Sequence, residues 1–237
     1  MVLLAFFMLF SGVPASGETL PAWFLPLRDA VYEQQLTAAE IEPLYREISG
    51  RARALLSGEA QYIMLSRCEY MMGRAYQYEE RKDEASARYS EGMNMAQRAL
   101  DIKASSEAWQ MLAENLSQSC AVRSASYAIA NGLNVEKYAK NALALNRRNA
   151  AAQIMIAARW VYAPSPFHNF NRGIEMMSAI PNESDMEKDD MFNVYLAVGY
   201  ANMHMRPRNV PAARQWLSKS LEIYPTNKYA QSLLAGL

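Results

Sequence analysis

Residues 64–102 constrain the fold more than any other stretch, because two amphipathic runs flank a short charged segment at 79–84. Small or apolar residues recur at helical spacing within each run: Met72, Gly73 and Tyr76 in the first, and Ala85, Tyr89 and Gly92 in the second. Two antiparallel helices can approach closely only where side chains are small. The sequence therefore predicts a helical hairpin here.

Composition supports a wholly helical chain. Hydrophobic residues make up 51% of the sequence, with only 10 Gly and 10 Pro among 237 residues, which suits packed helices and argues against disorder. Alternating strand patterns are missing, and the Asn131-Gly132 pair joins helical runs. Lys plus Arg equals Asp plus Glu at 24 each, so no global charge favours nucleic acid or an anionic membrane.

The hairpin pattern repeats along the chain. Equivalent small or apolar positions are Gly73, Ala113, Ile156 and Gly199, separated by 40, 43 and 43 positions. The spacing Met72-Gly73-x-x-Tyr76 followed by Ala85-x-x-x-Tyr89-x-x-Gly92 resembles the tetratricopeptide repeat, whose period is about 34 residues. The resemblance covers residues 60–237. It implies an all-α, right-handed solenoid of about four stretched antiparallel helix pairs.

The N-terminus has the layout of a signal peptide. An apolar run at 1–10 precedes small residues at 11–17, which predicts a leader over 1–17 and a mature chain beginning near Ser16 or Glu18. The run is too short to span a bilayer, and no Cys follows it for lipid attachment. The layout departs from that of a signal peptide in one respect, because no Lys or Arg precedes the apolar run. The alternative interpretation of this run is a buried N-terminal helix. We expect export to a periplasm, with secretion as the alternative.

Residues 18–59 form a predicted N-terminal segment and lead-in helix before the repeat domain at 60–237. The Pro-punctuated stretch 20–27 suggests an extended segment or turn on the outside of the first helices. Thr37 and Glu40 have the spacing of a capping box. Because Pro43 is too deep for a first-turn proline, the helix either starts there or kinks after its cap, and it ends near Leu56.

The connections within the later units are predicted from breaks in the helical pattern. Numbering the predicted helix pairs as units one to four in chain order, we expect a long turn at 120–134 in unit two, a Pro-rich break at 162–170 in unit three and an enlarged turn at 206–211 in unit four. A short capping helix is expected at 228–237. In that register Cys68 and Cys120 are offset by about 18 Å along neighbouring helices. A disulfide needs Cα atoms within about 7 Å, so both thiols are predicted to be free and mostly buried.

Motifs for catalysis, cofactors and metals are missing from the sequence. His168 and His204 lack a second His or Cys at metal-ligand spacing, so no zinc site is predicted. The sequence contains neither a Gly-rich phosphate loop nor a nucleophile or zinc-protease motif. We therefore expect a non-enzymatic protein without a cofactor. A hydrolase using His168 or His204 beside a carboxylate ranks lowest among the alternatives.

The resemblance implies a binding groove, because the first helices of successive tetratricopeptide pairs line a concave surface that holds peptides. Carried over by position, the groove residues are Arg67, Tyr70, Arg74, Gln77, Gln110, Glu114, Gln118, Trp160, Asn193, Tyr200 and His204. An ordinary solvated helix face explains the same polar row. The 15 Met residues suggest either an adaptable groove or, more simply, core filler.

Two binding functions follow. The first is an exported scaffold for a protein or peptide partner, without nucleic acid and without a transmembrane span. The second comes from a looser resemblance to the helical T-component of tripartite ATP-independent periplasmic (TRAP) transporters, based on the long second helix of unit one and the break at 162–170. That resemblance implies a periplasmic substrate-binding protein as partner and a small apolar ligand, although the lipoprotein members' anchoring Cys is missing.

Overall fold

A computed structural model of the protein describes residues 20–184 and 186–237, so the predicted leader at 1–17 lies outside the described residues. Within these ranges the chain forms eleven α-helices and no strand. They are α1 Leu25–Glu33, α2 Ala38–Leu55, α3 Gly58–Tyr78, α4 Lys82–Ile102, α5 Ser106–Val122, α6 Ala125–Leu145, α7 Ala150–Tyr162, α8 Phe170–Glu183, α9 Lys188–His204, α10 Val210–Ile223 and α11 Lys228–Ala235.

Neighbouring helices form four hairpins, which we number as units: α3 with α4, α5 with α6, α7 with α8, and α9 with α10. The first helix of each unit also packs on the first helix of the next, so α3, α5, α7 and α9 form a continuous inner row. Because each hairpin buries its apolar face against its neighbours, the stack is a solenoid. This confirms the predicted all-α, tetratricopeptide-like fold. The capping helix α11 follows unit four as expected.

Glycines allow the close helix contacts that the hairpin pattern predicts. A Cβ atom on Gly73 would lie 2.5 Å from Cε1 of Tyr89 on the return helix. A Cβ atom on Gly199 would lie 2.7 Å from Cγ of Leu217 in unit four. Both distances are shorter than van der Waals contact, so the paired helices approach this closely only where the side chain is absent.

The connection in unit two is much shorter than predicted. Helix α5 ends at Val122 and α6 begins at Ala125, so the long turn expected at 120–134 is wrong. Ser124 caps the new helix, its hydroxyl accepting from the Tyr127 amide at 3.3 Å. Asn131 and Gly132 then lie inside α6 rather than in a turn. A single glycine costs a helix only about 1 kcal/mol, which the surrounding alanines and the cap offset.

The lead-in helix begins at its predicted cap. The Thr37 amide donates to Glu40 Oε2 at 2.8 Å, and the Glu40 amide donates to Thr37 Oγ1 at 3.3 Å, which completes a capping box. Helix α2 starts at Ala38 and contains Pro43 in its interior. The alternative that the helix starts at Pro43 is therefore wrong. The two capping hydrogen bonds stabilise the first turn of α2, which lies N-terminal to Pro43.

Residues 21–24 form the turn that was one of the two alternatives for 20–27, with the Phe24 amide donating to the Pro21 carbonyl at 2.8 Å, and the extended alternative is wrong. They lead into helix α1, whose first turn accommodates Pro26 because first-turn amides have no partner within the helix. Phe24, Leu27, Val31 and Tyr32 all face inward and are buried. Their spacing is that of one helical face, which packs against α3. The predicted position on the outside is wrong, as is the omission of a helix from Leu25 onward, because a short Pro-containing sequence shows little helical periodicity.

Both cysteines are free, as predicted. Cys68 is buried and Cys120 is half-buried. Burial raises the pKa of the Cys68 thiol to about 12, so it remains protonated at neutral pH.

Among the helices of the described chain, none is both long and apolar enough to cross a membrane.

Candidate functional site

Helix α1 joins the first unit of the solenoid to the last. The Tyr224 hydroxyl donates to Asp29 Oδ1 at 2.8 Å, and Asn227 Nδ2 donates to the Tyr32 carbonyl at 2.7 Å. Arg28, only 1% exposed, places Nη1 3.8 Å from both Glu187 Oε2 and Asp189 Oδ1. Since α1 also packs on α3, it lies across the concave surface and closes it between units one and four.

Tyr32 is the centre of this closure. Its ring stacks on Tyr224 with centroids 5.1 Å apart and meets Phe192 edge-on at 5.5 Å. Arg74 of α3 places its Cζ 4.7 Å from the same ring's centroid. Asn193 Nδ2 donates to the Tyr32 hydroxyl at 3.0 Å. One side chain of α1 thus contacts α3, α9 and the end of α10 together.

The groove residues predicted in unit one are largely covered. Arg67 and Tyr70 are buried, while Arg74 is half-buried and donates through Nη1 to the Tyr70 hydroxyl at 3.1 Å. Gln77 Oε1 accepts from the Tyr89 hydroxyl at 2.5 Å. The expected exposed row is therefore wrong for this unit. These residues are covered because the chain's own helix α1 occupies the face beside Arg74.

In unit two the predicted residues also turn inward. Gln110 and Glu114 are buried, and Gln110 Oε1 accepts from Asn149 Nδ2 at 3.0 Å. Gln118 is half-buried. Burial raises the pKa of the Glu114 carboxyl to about 7, opposed by the positive charge of Arg67. Burial also raises the pKa of Asp189, opposed by the positive charges of Arg28 and Arg67.

The Glu114 carboxyl gives the protein a predicted pH dependence. The pKa of Glu114 lies near 7 in the folded chain, above its ordinary value of 4.5, so the folded state binds the proton more tightly. Its contribution to stability is therefore lost as the pH rises from about 4.5 to 7. We expect Glu114→Gln to reduce the loss of unfolding free energy between about pH 5 and pH 8 by on the order of 2 kcal/mol. Urea unfolding across this range checks it, and parallel pH profiles for the two proteins would contradict it.

The predicted residues of units three and four fall into two groups. Trp160 packs under Arg172, whose Cζ lies 4.1 Å from its ring centroid, and so belongs to the seam between α7 and α8. Asn193 donates a hydrogen bond to the Tyr32 hydroxyl of α1. Tyr200 is half-buried and His204 is exposed, and both line an open cleft. The structure thus brings these last two residues together, one turn apart on α9.

The cleft, called here the aromatic cleft, has a volume of about 530 Å³. It is lined by Val161, Tyr162, Ala163, Pro164, His168, Phe170, Tyr200, His204 and Arg206. Ring centroids are 5.1 Å apart for Tyr162 and Tyr200, and 4.2 Å apart for Tyr200 and His204. His168 stacks on Phe170 at 4.5 Å. The C-terminal ends of α7 and α9 and the break before α8 therefore build an aromatic wall.

Tyr162, His168 and Phe170 are not among the groove residues predicted from the sequence, although the loop at 162–170 is an alternative location for the partner site. All three fall in or beside the Pro-rich break predicted in unit three. The signal that favours this loop is the concentration of rings in a connection that also carries Pro164 and Pro166. Rings in an exposed connection have fewer core partners than rings on a helix, and they are therefore stronger candidates for a binding surface.

The electrostatic environment of the cleft is positive. Partial burial lowers the pKa of His204, and the neighbouring positive charges of Arg208 and Arg206 lower it further. His204 is therefore mostly neutral near pH 7. Across residues 20–184 and 186–237, no group of three or more His, Cys, Asp or Glu side chains is placed to hold a metal ion.

Comparison with protein-family models gave no match, and comparison with curated proteins gave none either. Among solved structures, the chain is similar to one described as "Crystal structure of YrrB: a TPR protein with an unusual peptide-binding site". The two share 16% sequence identity at a TM-score of 0.41, over 90% of this chain and 97% of that chain. So loose a superposition leaves the fold assignment to the helix pairing itself. By that pairing, the protein is a tetratricopeptide-like solenoid of four helix pairs, closed across its concave side by its own N-terminal helix.

Proposed function

We propose that the protein is a non-enzymatic scaffold that binds a protein or peptide partner at the aromatic cleft. The observation that carries this proposal is the contrast along the inner row of helices. In units one and two the inward residues are buried or half-buried beneath the chain's own contacts, whereas Tyr162 in unit three is 47% exposed and His204 in unit four is exposed. The open part of this surface is what a partner can reach.

The composition of the cleft suits recognition of another chain. Phe167, beside the cleft on the same connection, is 63% exposed, so exposed rings cluster here rather than scatter. Clustered exposed apolar side chains are a feature of interaction sites. Tyrosine in particular supplies a large contact area with one polar atom at its edge, which is why it is frequent at interface hot spots.

The cleft is held in place by bonds from its supporting elements. The Asn169 amide donates to the Trp160 carbonyl at 2.8 Å, which ties the break to α7. The Asn169 side chain then caps α8, its Oδ1 accepting from the Arg172 amide at 3.1 Å. Tyr200 and His204 lie on the regular helix α9. A surface fixed in this way loses little conformational entropy on binding, which favours affinity.

Affinity capture from the native host tests the proposal. The bait is the mature chain, compared with Tyr162→Ala/His204→Ala and with Ile129→Ser as control. Ile129 is 80% exposed on α6, away from the cleft, so the control also removes an exposed apolar side chain. We expect a partner that is retained by the control and reduced at least about tenfold by the cleft variant, the effect of about 1.4 kcal/mol. A partner captured equally by all three baits would place the binding site elsewhere.

Expression of the whole sequence in the native host tests location, and the identity of the captured partner tests the alternative function. We also propose export to a periplasm, supported by the apolar run and small residues at 1–17. The mass of the chain recovered from the host should then correspond to a start near Ser16 or Glu18, and an uncleaved chain would contradict export. Capture of a periplasmic substrate-binding protein would favour the TRAP-transporter alternative over a general scaffold.

A further inference from the structure

The aromatic cleft has a one-sided charge. Its lining includes Arg206, His168 and His204, and none of its described lining residues is Asp or Glu. Over the whole chain acidic and basic residues are equal at 24 each, so this bias is local to the cleft. Arg208 adds a further positive charge close enough to lower the pKa of His204. An anionic group entering the cleft would therefore meet cations and potential cations without a competing carboxylate from the lining.

The rings that line the cleft indicate which apolar side chains a ligand must carry. Tyr162, Tyr200 and His204 form a chain of ring contacts, and His168 with Phe170 forms a second stack. Faces and edges of this kind pack well against proline and aromatic side chains. A volume of about 530 Å³ admits only a few side chains at once. The ligand is thus a short segment rather than a broad protein surface.

From these features we propose that the cleft recognises a short acidic peptide segment in which a proline or aromatic residue lies beside Asp or Glu. The inference rests on the proposed scaffold function and names the partner's chemistry. The ring of the segment packs on Tyr162 and Tyr200. Its carboxylate accepts hydrogen bonds from the Arg206 guanidinium and from His204, whose protonated form the carboxylate stabilises.

A single-stranded nucleic acid also offers rings and negative charge, but the surroundings favour a peptide. Nucleic-acid grooves combine stacking rings with a basic stripe that follows the phosphate backbone. Here the described lining contributes a single Arg, and the net charge of the whole chain is zero. One or two carboxylates match that local charge better than a run of phosphates does.

Fluorescence anisotropy with the full mature chain tests this directly. The probes are three labelled eight-residue peptides that share one proline and one phenylalanine and differ only in four flanking residues, all Glu, all Gln or all Lys. We expect the Glu peptide to bind about tenfold more tightly than the Gln peptide at low salt, because charge-assisted hydrogen bonds replace neutral ones. The Lys peptide should bind most weakly.

Variants separate charge from ring packing. Arg206→Gln should reduce the preference for the Glu peptide to about twofold and leave the Gln peptide unchanged. Arg98→Gln is the matched control: it removes an equal charge from an exposed position on α4 and should change neither affinity. Tyr162→Ala should weaken both peptides. An Arg98→Gln effect as large as that of Arg206→Gln would show only a global charge effect and overturn the assignment.

The outcomes also distinguish this inference from the scaffold proposal. Equal affinity for the Glu and Gln peptides, both weakened by Tyr162→Ala, would overturn the acidic preference while the scaffold function stands. Failure of all three peptides to bind would overturn the segment assignment in the same way, provided that capture still depends on the cleft. An eight-nucleotide single strand that outcompetes the Glu peptide in wild type and loses affinity in Arg206→Gln would replace the peptide with nucleic acid.

Discussion

Replacement of Tyr32 by alanine is expected to lower the free energy of unfolding by about 3–5 kcal/mol, the range found when large buried aromatic residues are truncated. Tyr32 is completely buried, and its ring contacts both Tyr224 and Phe192. The lost contacts are those between α1 and unit four, and not contacts within one hairpin. Chemical denaturation measures the total effect. Hydrogen exchange should show the largest loss of protection in α9 to α11.

Tyr32→Phe is the matched control for that prediction. It keeps the ring and removes only the hydroxyl, which accepts from Asn193 Nδ2 at 3.0 Å. We expect a cost of about 1 kcal/mol, typical of one hydrogen bond. If Tyr32→Ala lowers the free energy of unfolding no more than Tyr32→Phe does, the ring does not stabilise the contact between α1 and unit four. If exchange changes only within α1 and α2, then α1 does not stabilise the last unit.

The second large effect concerns Gly73. Alanine at this position should lower the free energy of unfolding by about 2 kcal/mol, because overpacking a tight helix contact typically costs 1–3 kcal/mol. The added Cβ would lie 2.5 Å from Cε1 of Tyr89, whose ring is fully buried. The Tyr89 hydroxyl is also bound to Gln77 Oε1, so the ring cannot move without losing that bond. Urea unfolding of the two proteins measures the difference.

Gly132→Ala provides the opposite result at another helical glycine. Gly132 lies inside α6, is exposed, and has no atom within 4 Å of a built Cβ. Alanine there should raise the free energy of unfolding by about 0.5–1 kcal/mol, because it restricts the unfolded chain and favours the helix. Similar changes at Gly73 and Gly132 would show that helix propensity, rather than the contact with Tyr89, decides both.

The helix pairs were predictable because their signals are local. Gly73, Tyr89 and Gly199 follow the periodicity of helical faces, and the structure confirms hairpins at those positions. The capping box of Thr37 and Glu40 is confirmed for the same reason, since both partners lie within one turn. Errors arose where local signals conflict. Asn131-Gly132 favours a turn in isolation, but the cap at Ser124 and the alanines around it favour a helix.

The site was only partly predictable. Tyr200 and His204 were identified from their position on the first helix of unit four, and they line the open cleft. Whether they bind a partner stays a prediction. Tyr162 and Phe170 were only an alternative site, because the resemblance to helix pairs implies a groove on the first helices and not in the break between α7 and α8. Arg67 and Glu114 were placed on the inner row, but their burial was not foreseen.

By itself, the sequence determined that the chain is helical, the pairing of helices into four units and the small residues at which they touch, but not α1 or the start of α6. Each of these depends on residues a few turns apart, where periodicity and capping leave a direct trace. Only the tertiary structure decided which part of the concave surface is open. That depends on contacts such as Tyr32 with Tyr224 and Asn227, which join positions almost 200 residues apart. Such contacts arise when the curvature of the whole stack brings its two ends together, and no local pattern in either segment encodes that curvature.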